Sequence, residues 1–376
     1  MTSVIKIGIL FLRIIYFFLK LLPQKNKITC ISRQTDSPTQ EFLMLKNRIA
    51  KENPKVKVVI LCKTLKGGAK ATFFSKCLYG FHIFVQMYHT ATSKVVVLDT
   101  YCIPVSLLKH KQNLKVIQMW HSMGTMKLFG YTALDTLEGS GSRLARLMRM
   151  HRNYDFVFAS SDAYKHHLAN GFDCDIKKII TMPLPRLDLL KSREYEQNVR
   201  EKIFSKYPSL KEKPVVLYCP TFRFEEKDFE KALQKLISAF NFEKYNLVVK
   251  LHPLSKVVLP ENVADAKGFS SMDLLFVADH VISDYSCIVY EAAVREIPLY
   301  FYDFDIDMYL QNRGLAIDYF GELPGTISKD PKEIMKAIES DYDRERLVAF
   351  ANKYVTPVED VTGKIVDFIF KIGNIK

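Results

Sequence analysis

After a strongly apolar opening, short unbroken runs of β-branched and other apolar residues alternate with longer stretches in which apolar positions recur every three to four residues. The runs ITCIS (28–32), KVVILC (57–62), VVVLD (95–99), KVIQM (115–119), DFVFA (155–159) and 178–182 predict one set of strands. VVLYC (215–219), NLVVKL (246–251), HVIS (280–283) and PLYFY (298–302) predict a second. Continuous rather than alternating apolar strands are those of a parallel sheet covered on both faces. Helices are expected at 226–240, 271–277, 286–296, 331–340 and 358–372. The charged stretch 186–213, closing on Lys213-Pro214, reads as a connector. The expected architecture is therefore α/β: an amphipathic helix over 1–25, one Rossmann-like domain over 26–185 and a second over 186–376. In such folds ligands bind beyond the carboxyl ends of the strands, so a cleft between two sheets is the expected site.

The opening run VIKIGILFLRIIYFFLKLL (4–22) is interrupted by Lys6, Arg13 and Lys20 at intervals of seven. Seven residues carry a helix through almost two turns, which puts the three cations on one narrow face. An Arg at mid-membrane costs about 2.5–3.5 kcal/mol on insertion scales. A helix lying in the membrane interface, with its cations toward lipid phosphates, satisfies every group. A tilted anchor and an ordinary buried helix are the alternatives.

Composition adjusts this picture in two ways. Of 376 residues, 48% are hydrophobic and 25% charged, the balance of a folded globular chain rather than a disordered one. The net charge of +13 favours anionic partners such as phosphate-rich substrates, acidic lipid or nucleic acid. Basic residues interleaved with aromatics in an RNA-binding motif are not present, so nucleic acid is not an expected partner. The seven cysteines are scattered without a CxxC pair, a pattern of reduced thiols rather than a disulfide frame or zinc site.

Four segments carry candidate chemistry. Trp120-His121-Ser122-Met123-Gly124 follows a predicted strand, which suits His121 to act as a base at a cleft or to cap a turn. Leu251-His252-Pro253 ends another strand, with Pro253 fixing its exit. Ser283-Asp284-Tyr285-Ser286 runs from a strand toward a helix, where exposed N–H groups and hydroxyls suit a phosphate; Ser286 reads equally as an ordinary cap. Glu291, farther along, faces either a ribose or solvent. Pro220-Thr221-Phe222-Arg223 places Arg223 to clamp a phosphate or to form a surface ion pair. Arg143, Arg146, Arg149 and Arg152 recur every three residues and predict a basic amphipathic helix facing anionic lipid, polyphosphate or solvent. Lys66-Gly67-Gly68-Ala69-Lys70 lacks P-loop spacing, and His166 and His167 are adjacent and point apart on a helix. Asp303, Asp305 and Asp307 alternate as a cation site sometimes does, and as an ordinary loop after a strand often does. No metal or cofactor is expected.

In this order, the motifs resemble those of the CDP-glycerol glycerophosphotransferase family of teichoic-acid synthesis. The resemblance rests on Trp120-His121, Pro220-Thr221-Phe222-Arg223, Leu251-His252-Pro253, Ser283-Asp284-Tyr285-Ser286 and the stretch FYDFDIDMYLQNRGLAIDY (301–319). It covers roughly residues 95–370. Where the family's polymerases carry Gly-Thr-Pro-Leu-Lys after the first His, this chain has Ser-Met-Gly-Thr-Met-Lys, nearer to the primases and shorter ribitol or glycerol enzymes. The resemblance implies a GT-B-like fold, an amino-terminal acceptor domain and a carboxyl-terminal domain that holds a CDP-polyol. It implies transfer of glycerol phosphate or ribitol phosphate to a lipid-linked polyprenyl diphosphate saccharide, with CMP leaving, at the cytoplasmic face of an anionic membrane. His121 and His252 would be catalytic, with His121 as the base. Thr221, Arg223, Ser283, Asp284, Ser286 and Glu291 would bind the donor. Lys6, Arg13, Lys20, Lys127, Arg143, Arg146 and Arg149 would meet acceptor or membrane. A nucleotide-sugar glycosyltransferase of the same fold and a non-enzymatic basic surface-binding protein are the competing readings.

Overall fold

The computed structural model describes residues 2–65, 72–223 and 225–376, so Lys66–Lys70 lies outside the described residues. The chain divides into two compact units. One comprises Met1–His121, Phe129–Asp188 and Val358–Lys376; the other comprises Ser122–Leu128 and Leu189–Pro357. The last helix, Val361–Ile372, thus returns to the first unit, and the seven residues after His121 belong to the second. Neither excursion is contained in a division into the contiguous spans 26–185 and 186–376.

The first unit is built on β1 (Lys27–Ser32), β2 (Lys57–Cys62), β3 (Val95–Leu98), β4 (Lys115–Gln118), β5 (Phe156–Ala159) and β6 (Ile179–Thr181). They form one parallel sheet in the order β2-β1-β3-β4-β5-β6. β1 and β3 are buried along their whole length, as continuous apolar runs require. The strand order reverses between β1 and β3.

The second unit carries β7 (Val215–Cys219), β8 (Asn246–Val249), β9 (Ala264–Asp265), β10 (His280–Ser283), β11 (Leu299–Tyr302) and β12 (Ile327–Ser328). Their order, β12-β11-β10-β7-β8-β9, is that of a dinucleotide-binding sheet, with its switch point between β7 and β10. Every pairing is parallel, and Cys219 stands opposite Ser283 at that switch point. The helix Glu226–Ala239 covers one face through Phe229, Ala232, Leu233 and Leu236, a spacing of three, one and three. Those side chains meet Val216, Tyr218, Ile282 and Tyr300 in one core.

Three expectations change. The stretch 186–213 is largely helical, over Arg186–Leu190 and Arg193–Lys206, rather than an open connector. The arginine-rich segment is helical only over Ser142–Leu147, so Arg149 and Arg152 lie beyond its end. Arg149 has a left-handed backbone (φ 50°), and Arg152 is paired with Asp173. The helix Thr2–Leu19 has two apolar faces: Ile9 and Tyr16 are buried against Met87, Ala91, Leu107 and Leu108. Leu10, Phe11, Ile14, Phe17 and Phe18 stay open on the other, each more than half exposed. No helix among the described residues is long and apolar enough to cross a membrane.

Candidate functional site

In the first unit, β4 delivers Trp120 and His121 through a strained turn. Trp120 adopts φ 69°, a left-handed conformation that costs a residue with a side chain about 1–2 kcal/mol. The turn is held because the Trp120 N–H donates to the Gln118 side chain at 3.0 Å, while Gln118 donates to the Thr100 carbonyl at 3.2 Å. The indole lies against the rings of Phe129, Phe172 and His121, the last with 4.2 Å between centroids. From behind, Arg186 donates to the His121 carbonyl at 3.1 Å and is itself ion-paired with Glu41.

These contacts fix the His121 imidazole. Its Nδ1 lies 3.1 Å from the Asp99 carbonyl oxygen, which can only accept, so Nδ1 carries the proton and Nε2 keeps its lone pair. Burial lowers its pKa to about 4, outweighing the hydrogen bond to Asp99, and the positive charge of Arg186 pushes the same way. The ring is therefore neutral at physiological pH, with an acceptor nitrogen: the state a general base needs before reaction.

In the second unit, β7, β8 and β10 end side by side, and the loops that follow carry the remaining motifs. Two layers can be told apart by what each polar atom is already doing. The inner layer is saturated. Ser283 is fully buried and donates its hydroxyl to the Cys219 carbonyl at 2.9 Å, tying β10 to β7. Asp284, also fully buried, accepts from the Thr221 N–H at 2.9 and 3.0 Å and from the Tyr285 N–H at 2.6 Å. Arg223 is 8% exposed and spends its nitrogens on Asp305 (2.6 and 2.9 Å), Asp284 (3.0 Å) and the Thr221 carbonyl (2.7 Å). Although burial alone would lower its pKa, Asp284 and Asp305 hold it above the ordinary value. The arginine is a buried strut between loops, neither a free phosphate clamp nor a surface ion pair. Glu291 is buried on the helix Ile288–Val294, so it does not face solvent.

The outer layer keeps donors in hand. Thr221 and Ser286 are partly exposed; the Ser286 hydroxyl accepts weakly from the Ile288 N–H at 3.4 Å and can still donate its own proton. His252 is exposed, and its Nδ1 accepts from the Leu254 N–H at 3.2 Å, which leaves the proton on Nε2. Partial burial, then the charge of Lys127, lowers its pKa. His252 is thus wired oppositely to His121, offering an N–H rather than a lone pair.

Lys127 is the one cation of those grouped by sequence with acceptor and membrane contacts that belongs to the second unit. Its segment belongs to the second unit, bridged antiparallel to Leu315 and hydrogen-bonded from Ala316 N–H to Met126 at 2.7 Å. The ammonium stands 3.4 Å from the Thr221 hydroxyl and 5.6 Å over the Tyr309 ring. Burial lowers its pKa, while Asp284 acts against that. Sequence reasoning also missed Asp305, whose place among three alternating aspartates suggested a cation; it pairs with Arg223, while Asp307 pairs with Lys329. Asp303 is buried, which raises its pKa to about 6. The alternation was a visible signal, but the arginine 82 positions away that answers it was not.

The remaining predicted cations lie on the first unit. Lys6, Arg13, Arg143, Arg146 and Arg149 are exposed, and Lys20 is partly so.

Comparison with known proteins places this geometry. The family model for CDP-glycerol:poly(glycerophosphate) glycerophosphotransferase matches residues 14–371. The teichoic acid ribitol-phosphate primase of Bacillus spizizenii is 30% identical over 363 residues, 93% of this chain and 92% of that protein. The teichoic acid glycerol-phosphate primase of Bacillus subtilis is 26% identical over 281 residues, 73% of this chain and 72% of that one. A solved structure of the wall teichoic acid polymerase TagF superposes with a TM-score of 0.75 at 19% identity, covering 96% of this chain and 93% of that one. That likeness shows the fold, a GT-B-like pair of Rossmann-type units. By its motifs, its fold and a family match over nearly its whole length, this chain belongs to the CDP-glycerol:poly(glycerophosphate) glycerophosphotransferase family.

Proposed function

We propose that this chain transfers a polyol phosphate, glycerol phosphate or ribitol phosphate, from a CDP-polyol to a hydroxyl of a membrane-linked teichoic-acid precursor, releasing CMP. The second unit holds the donor and the first unit serves the acceptor. The acceptor oxygen attacks the phosphorus that bears the polyol, and the bond from that phosphorus to the bridging oxygen breaks. The electron pair leaves with CMP. His121 Nε2 takes the proton of the attacking hydroxyl. Lys127, the His252 Nε2–H and the hydroxyls of Thr221 and Ser286 stabilise the diphosphate as charge moves onto CMP, a task that is mainly electrostatic. Ser283, Asp284, Arg223 and Asp305 hold those groups in place. Glu291 orients the cytidine ribose from the neighbouring helix.

The observation that carries this reading is the opposite wiring of the two imidazoles, one an acceptor and the other a donor, in a chain of this family. The work takes place at the cytoplasmic face of a membrane, reached through the open apolar face of the Thr2–Leu19 helix and the cations Lys6, Arg13 and Lys20, with Arg143, Arg146 and Arg149 on the same unit. Because a relative aligned over 93% of this chain is a ribitol-phosphate primase, CDP-ribitol is the first donor to test. The assay incubates the purified protein with CDP-ribitol, CDP-glycerol or a UDP-sugar and a lipid-linked disaccharide, and measures nucleotide release and product length. CMP release that depends on the acceptor is expected; turnover of the UDP-sugar alone would favour a glycosyltransferase.

A further inference from the structure

Beside its first helix, the first unit holds a cavity to which the proposed transfer assigns no step. It encloses about 350 Å³ and is lined by Arg13, Tyr16, Phe17 and Lys20 of the first helix, with Leu107, Leu108, Lys109 and Arg149 completing the wall. Four of these eight residues are cations. Among the described residues, no side-chain hydrogen bond or ion pair engages Arg13, Lys20, Lys109 or Arg149. Lys111, two residues along, differs: its ammonium donates to the Leu22 carbonyl. Four like charges around one small space repel each other unless an anion sits among them.

The arrangement is built rather than fortuitous. Tyr16 is buried at the cavity wall, and its hydroxyl is bonded to His110 Nδ1 at 2.7 Å, which pins the first helix to the segment carrying Lys109. Arg149 reaches the cavity because the helix Ser142–Leu147 ends just before it and its backbone turns left-handed, φ 50°. Strained backbone at a residue that bears a side chain persists where its surroundings hold it, and such positions cluster at binding sites. Leu147 and Met148 pack into the same apolar cluster as Ile9 and Tyr16, so the turn is anchored on the first helix.

The cavity also opens beside the exposed apolar face of the first helix. Phe17 belongs to both, and Leu10, Ile14, Phe18 and Leu21 extend that face. A cation-lined hole at the edge of an open apolar surface matches an anionic phospholipid, phosphate in the hole and acyl chains along the face. We propose that this cavity is a seat for the phosphodiester headgroup of an anionic membrane lipid. The proposal rests on the membrane-surface reading above and sharpens it: general charge attraction becomes one defined site.

The test is vesicle flotation with the full chain, using phosphatidylcholine vesicles with and without phosphatidylglycerol. Each cation near an anionic surface contributes about a fivefold gain in binding, so Lys109→Gln with Arg149→Gln should weaken phosphatidylglycerol-dependent binding roughly thirtyfold. Removing the same charge from two exposed lysines of the second unit, by Lys202→Gln with Lys235→Gln, should weaken it severalfold less. Inorganic phosphate, at concentrations held equal in ionic strength to a chloride control, should not displace the protein. Equal losses for the two double variants would overturn the seat and leave the membrane reading intact, provided Ile14→Asp still abolishes flotation. Displacement by inorganic phosphate would assign the cavity to a free anion instead. A wild-type chain that fails to float with either vesicle would overturn both readings. Circular dichroism melts of each variant separate a lost site from a lost fold.

Discussion

The two units present a histidine each at the exit of a parallel strand, yet the two rings are prepared for opposite tasks. His121 gives its Nδ1 proton to a carbonyl and keeps a lone pair on Nε2. His252 accepts a backbone N–H at Nδ1 and keeps a proton on Nε2. His121 is wedged against Trp120 and held from behind by Arg186, while His252 is exposed and touches the Phe222 ring at 5.0 Å. One residue type thus serves as acceptor in one unit and donor in the other, and a single backbone contact decides which. The difference teaches that a motif histidine has no role until its second nitrogen is accounted for.

The largest expected effect breaks the proposed base. His121→Ala should lower the transfer rate about 10²- to 10⁴-fold, read as CMP release at saturating donor. A loss no greater than that of His252→Ala would erase the distinction between the rings.

Next comes the buried strut of the second unit. Arg223→Ala strands Asp284 and Asp305 without their cation, and breaking a buried pair costs about 3–5 kcal/mol. Chemical denaturation would show it. Arg223→Lys should rescue little, because an ammonium cannot reproduce the two-pronged contact with Asp305. A variant as stable as the parent would return Arg223 to the list of free phosphate ligands.

His252→Ala removes one N–H from an anionic ligand, worth roughly a tenfold to hundredfold loss in donor affinity. It should appear mainly in KM.

The smallest effect concerns pH. The folded protein keeps His121 neutral down to about pH 4, whereas the unfolded chain protonates it near the ordinary value of 6.5. Its contribution to stability is therefore full above that ordinary value and declines as pH falls toward 4. Relative to the parent, His121→Asn should lose about 1–2 kcal/mol less stability between about pH 7 and pH 5. An unchanged pH slope would mean that the ring is not desolvated.

Much of the fold was legible because fully buried parallel strands leave a plain mark. All ten long apolar runs became strands, each within a residue or two of the expected ends. β9 and β12 were not foreseen, since two residues carry no period. The site was legible as types of residue at strand ends, and not as contacts. Nothing local distinguishes Lys127, beside Thr221, from a surface lysine, because the turn that carries it joins the second unit across 94 positions of sequence. The partners of Arg223 were hidden for the same reason: they come from two later loops. The opening helix shows a further limit. With apolar residues on both sides of its cationic stripe, sequence could not say that Ile9 and Tyr16 dock while Ile14 and Phe18 remain open.

The division of labour between the imidazoles is tested most directly by isothermal titration of CDP-ribitol and CDP-glycerol into His121→Ala and His252→Ala. The account predicts donor affinity close to the parent's for the first variant and clearly weakened affinity for the second. Donor binding lost with His121 and kept without His252 would contradict it.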